Sequence, residues 1–138
     1  MALLTRGVGS SASPVTRTAT NLTIIIGAAM VAASAVIHLH LWQSGYRHIH
    51  LIGPAFLAQS ITGMALATFI VVYRRVVGVA AGALYSAGSA AALIISATVG
   101  FLGLHDGLDV PWAGWSLATE LIGLVMFLGA LTSLLRRR

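Results

Sequence analysis

The sequence predicts an all-α membrane protein: four transmembrane helices in an up-down-up-down bundle, with the N and C termini cytoplasmic. Three observations lead there. Of 138 residues, 58% are hydrophobic and only 8% charged, whereas soluble domains carry about 25% charged residues. Four apolar stretches have the roughly 20 residues that a helix needs to cross a bilayer core. The eight basic residues, all arginine, sit at the ends of those stretches. A chain this short holds one domain.

The first span reads as 21–42 (NLTIIIGAAMVAASAVIHLHLW). Residues 1–20, rich in Ser and Thr, read as a disordered cytoplasmic tail. A rival reading makes this region a cleaved leader, because Ala33-Ser34-Ala35 has the small-x-small form of a peptidase site. The apolar run continues to Trp42, too long for a signal core. The second span, 51–73, carries Pro54 in its first turn, where a missing N–H does no harm. The third, 77–103, follows the pair Arg74–Arg75, and the fourth is 115–135, leaving 136–138 as a cytoplasmic tail. The links are short, and short links make sequential helices antiparallel.

Orientation follows from the arginines. Arg6, Arg17, Arg74, Arg75, Arg136, Arg137 and Arg138 fall on one side of a four-span chain, and Arg47 alone on the other. The richer side is cytoplasmic by the positive-inside rule, and the membrane is the cell membrane. Trp42, Trp112 and Trp115 then lie at the outer interface, where indoles anchor. The net charge of +5 would suit nucleic acid on a soluble surface; arginines confined to helix ends argue against it. Cysteine is absent, so disulfides and thiolate sites are excluded. The lipid bilayer is the expected partner.

Helices in lipid associate through close packing and interhelical hydrogen bonds. Gly78, Gly82, Ser86 and Ala90 recur every four residues in the third span as a small-residue ridge. It serves packing inside the bundle; the alternative is a homo-oligomer face on the third helix. Gly27, Val31 and Ala35 form a weaker ridge in the first span, continued by Gly63 and Ala67 in the second.

The few polar residues within the spans gather toward the outer end. At ~1.5 Å per residue, His38 lies about 6 Å inside Trp42 and Glu120 about 7–8 Å inside Trp115. Gln59 lies about 12 Å below Leu51 and Thr98 about 9 Å below Leu104 on the same measure. Each helix thus offers one group to a polar layer: His38, Gln59, Thr98 and Glu120. A carboxyl in a span is expensive unless it is paired or faces a cavity, so Glu120 is expected to face inward, within hydrogen-bond or one-water reach of His38. The functional reading is a ligand-binding or proton-titrating pair. The structural one is a buried hydrogen bond that orients helices.

Above this layer, the outer loops carry Arg47, His48, His50, His105, Asp106 and Asp109. Imidazole and carboxylate together suit a transition metal, with His38, His105 and Glu120 as candidate ligands. His38 and His105 are also the candidate axial pair for a haem. His38 and His40 are about 200° apart around a helix and cannot share one site. No spacing matches a closed metal motif, so no cofactor is the leading expectation.

The stretch HLHLWQSGYRHIHLIGPAFLAQSITGMALA (38–67) resembles a family of small actinobacterial four-helix membrane proteins. The likeness rests on His38, Trp42, Gly45, Tyr46, Arg47, Ile52, Gly53, Pro54, Phe56, Leu57 and Gln59. It implies the fold and no activity. No nucleophile or cofactor motif points to an enzyme. The leading expectation is a non-catalytic accessory subunit of a larger membrane complex. The alternatives are a carrier of a small molecule, proton or metal ion that uses the polar layer, and a haem or metal redox protein.

Overall fold

The computed structural model describes residues 13–105 and 107–136. Among them are four long helices, α1 (Pro14–Gln43), α2 (Ile52–Tyr73), α3 (Val76–Thr98) and α4 (Ala113–Leu135), with a short 3-10 turn at Tyr46–His48. All four are long and apolar enough to cross a membrane.

Helix α1 begins seven residues before the expected span, so 14–20 are helical rather than part of a disordered tail. The cause is local. Ser13 caps the helix, accepting a hydrogen bond from the Thr16 amide at 3.3 Å, and Pro14 occupies the first turn, where its fixed φ suits the helix. Thr18 and Thr20 donate their hydroxyls to carbonyls one turn back, at 3.2 and 2.9 Å. Residues 1–12, and with them Arg6, lie outside the described residues.

At the other end, the Ser44 amide returns to the His40 and Leu41 carbonyls. Gly45, at φ +132°, then turns the chain in a region that L side chains rarely enter. Helix α2 stops at Arg74 in the left-handed conformation (φ 47°, ψ 33°), and α3 starts two residues later. Helix α3 ends at Thr98, not at 103. The tetrapeptide Gly100–Gly103 is as apolar as a helix, but both glycines have positive φ and the Phe101 and Leu104 backbones bond to each other in a tight bridge. Residues 99–105 and 107–112 are therefore irregular, and α4 begins two residues earlier than expected.

Helix α1 packs on α2 and α4, α4 also packs on α3, and α2 and α3 touch more sparingly. The apolar core centres on Phe127, with Ile24, Ile70 and Val79 around it. Phe127 of α4 fits where two glycines leave room. A Cβ on Gly27 of α1 would come within 2.7 Å of its ring, and one on Gly82 of α3 within 2.6 Å. The ridge Gly78, Gly82, Ser86 and Ala90 is buried inside the bundle. Gly78 faces Phe69 and Ile70 of α2, and Ser86 faces Gly123 of α4.

Polarity is inverted relative to a soluble protein. Ser34, Ser86, Ser116 and Glu120 are buried, whereas Leu84, Ile61 and Val125 lie exposed on the outside. Apolar solvent outside and hydrogen-bonded polar groups inside are what a bilayer demands. The chain has the character of a multi-pass membrane protein.

Candidate functional site

The site lies at the end of the bundle that carries the 3-10 turn and the 99–112 loop. On α1, Ser34 and His38 are one turn apart and both buried. On α4, Ser116 and Glu120 repeat that spacing. Helix α3 brings Ser89 from the opposite side. Glu120 is 1% exposed, and three hydroxyls converge on its Oε1. Ser116 donates at 3.0 Å, Ser34 at 3.2 Å and Ser89 at 2.5 Å. One carboxyl oxygen thus ties α1, α3 and α4 together. Its Oε2 is buried and has no hydrogen-bond partner among the described residues.

His38 joins this knot through Ser34 rather than by touching Glu120. Its Nδ1 lies 2.8 Å from the Ser34 carbonyl and 3.5 Å from the Ser34 hydroxyl. A carbonyl only accepts, so Nδ1 carries the proton, and in the neutral ring Nε2 is left as an acceptor. The imidazole meets Phe56 edge-on at 5.2 Å, and Phe56 stacks on Tyr46 at 5.2 Å.

Above the knot is a cavity of about 200 Å³. Every helix contributes to its wall: His38 and Leu41 from α1, Phe56 and Gln59 from α2, Ser89 and Ser96 from α3, Ser116 from α4. Tyr46 and the loop residues Phe101, Leu104 and Pro111 complete it. The lining is mainly apolar with a few convergent polar groups, the usual make-up of a small-molecule site. About 150 Å³ of apolar space is enough for a benzene-sized molecule. Ser89 and Ser116 both line this space and both donate to Glu120, so the carboxyl lies behind them as a support. Gln59 accepts a hydrogen bond from Tyr85 Oη at its backbone carbonyl, 3.0 Å. Its side-chain Nε2 is buried and has no hydrogen-bond partner among the described residues, on a residue that lines the cavity.

Of the expected polar layer, His38, Gln59 and Glu120 come together around this cavity. Thr98 does not: it is exposed and donates to the Ile94 carbonyl at 2.8 Å. Counting back from a helix end at 103–104 puts it in the layer. With the end at Thr98, it is terminal, and two residues on from Ser96 it points about 200° away. Ser89 and Ser96, two turns apart on one face, supply the α3 groups instead. Sequence reasoning missed Ser89, Tyr46 and Phe56. The seven-residue spacing of Ser89 and Ser96 was the available signal.

The loop residues Arg47, His48, His50, His105 and Asp109 are exposed. Arg47 donates its Nε–H to His48 Nε2 at 3.0 Å, and Asp106 lies outside the described residues. The candidate metal ligands are not assembled. His105 is on the exposed loop and His38 faces inward, and no group of three His, Cys, Asp or Glu gathers among the described residues. His40 is exposed as well, with its ring 5.1 Å from that of Trp112. No family model, curated protein or solved structure matches this chain.

Proposed function

We propose that this protein is a multi-pass membrane protein of the cell membrane that binds a small neutral molecule in the cavity at the outer end of its bundle. The observation that carries the reading is Gln59, which lines a mainly apolar cavity and whose buried amide nitrogen has no partner among the described residues. A buried donor without an acceptor is unfavourable by about 1–3 kcal/mol, and a ligand oxygen would relieve it. His38 Nε2 offers the complementary acceptor, so a hydroxyl or carbonyl compound suits the site.

The topology that goes with this reading is up-down-up-down with cytoplasmic termini. Its supports are the short links, the arginine asymmetry, and the pairing of Gly27 with Phe127 alongside Ser34 with Glu120, which runs in opposite directions along α1 and α4.

The role is binding rather than catalysis. Ser34, His38 and Glu120 contain the side chains of a hydrolytic triad but not its geometry. The Ser34 hydroxyl donates its hydrogen bond to Glu120, and His38 Nδ1–H points to a backbone carbonyl. Nucleophilic catalysis needs the base to receive the hydroxyl proton.

Phenol, a ring-sized molecule with one hydroxyl, is the test ligand. It should raise the unfolding temperature of the purified protein saturably. Ala92→Phe, which fills the cavity from α3, should abolish that shift without lowering the unliganded melting temperature. An equal shift in both proteins, or none in the wild type, refutes the assignment.

A further inference from the structure

The cavity has a neighbour on the α2–α3 side. A second hollow runs along the seam between these helices, lined by Thr62, Leu66, Ala81, Leu84 and Tyr85. It meets the cavity at Gln59, Gly88 and Ser89, which line both. Among helices that are neighbours around the bundle, these two pack least tightly. Gly88 keeps the junction clear, since a Cβ built there meets nothing within 4 Å. The outer rim, with Leu84 and Thr62 exposed, faces the direction in which lipid lies.

We infer that the site takes a single-chain amphiphile: a neutral ring-sized head bearing hydroxyl or carbonyl oxygens in the cavity, and a linear apolar chain in the α2–α3 cleft. It enters sideways from the bilayer. This inference rests on the proposed cavity and deepens it. The head is matched by the Gln59 donor, the His38 acceptor and the Phe56–Tyr46 aromatic stack. No arginine is among the residues that line the cavity, so an anionic head would be buried there without a guanidinium partner. Beyond Gln59 the cleft is lined chiefly by Leu66, Ala81 and Leu84, with the Thr62 and Tyr85 side chains. A chain there exchanges one apolar setting for another, so selectivity comes from the head and the route from the tail.

The experiment uses the full chain in lipid nanodiscs and a 4-decylphenol bearing a diazirine on its chain. Photolabelling should saturate and map to α2 and α3 around Leu66 and Leu84. Thr62→Phe obstructs the cleft without lining the cavity; it should cut labelling about tenfold while the phenol-induced melting shift stays intact. Gln59→Leu should weaken both about tenfold, the loss expected for one hydrogen bond. Non-saturating labels spread over lipid-facing residues such as Ile61 and Val125 would overturn the inference, as would unchanged labelling of Thr62→Phe. In either case a phenol shift leaves the cavity assignment standing. Without that shift in the wild type, both fall.

Discussion

Glu120 illustrates how a single side chain can hold a helix bundle together from inside. Its Oε1 accepts from Ser34, Ser89 and Ser116 alike, and those hydroxyls come from three helices. Two of the three bonds cross between helices, and interhelical hydrogen bonds in membranes average about 0.6 kcal/mol each, so Glu120→Ala should destabilise the fold by at least about 1 kcal/mol. Glu120→Gln keeps an acceptor oxygen in place and should lose less than half of that. Thermal unfolding in detergent, followed by circular dichroism, compares the two; equal losses would mean that the hydroxyls do not depend on this oxygen. At this scale the sequence was a good guide where chemistry was rare. A lone glutamate, a lone span glutamine and a span histidine mark themselves in apolar surroundings, and all three adjoin the cavity. Ser89 did not stand out, because serines recur throughout α3 and nothing local tells which one reaches a carboxyl on another helix.

At the scale of elements, glycine and the helix ends decide the outcome. Gly82→Ala places a methyl against the buried Phe127 ring, and overpacking of this kind is destabilising by about 1–3 kcal/mol. Gly88→Ala enters open space and should be neutral or stabilising. A melting series that ranked them the other way would contradict the packing described. Arg74 ends α2 at φ 47°, a conformation unfavourable by roughly 1–2 kcal/mol for a side-chain-bearing residue. Arg74→Gly should therefore raise the melting temperature despite the greater flexibility of the unfolded chain. Hydropathy located the four helices but misjudged two ends, and the reasons differ. Ser13-Pro14 is a readable start signal, outweighed here by a polar composition that suggested disorder. The end of α3 at Thr98 precedes residues apolar enough to continue a helix, and only the left-handed glycines at 100 and 103 reveal the turn.

For the molecule as a whole, the separation of roles is clear along the bundle. One half is a packed apolar core around Phe127; the other holds the serine–glutamate knot and the cavity, and the cleft between α2 and α3 runs alongside the core. The cavity was not legible in the sequence, because it arises from how far two helices stand apart and not from any residue pattern. The proposed orientation is open to direct measurement, since the chain has no native cysteine. A membrane-impermeant maleimide should label Gln43→Cys in intact cells and Ser13→Cys only after lysis; the opposite pattern would invert the topology. The central claim, that the cavity holds a small neutral molecule, is tested most directly by native mass spectrometry of the protein released gently from its own membrane. The account predicts one bound organic molecule on the wild-type chain that Ala92→Phe lacks. An adduct retained by Ala92→Phe, or a wild-type chain that carries none, would contradict it.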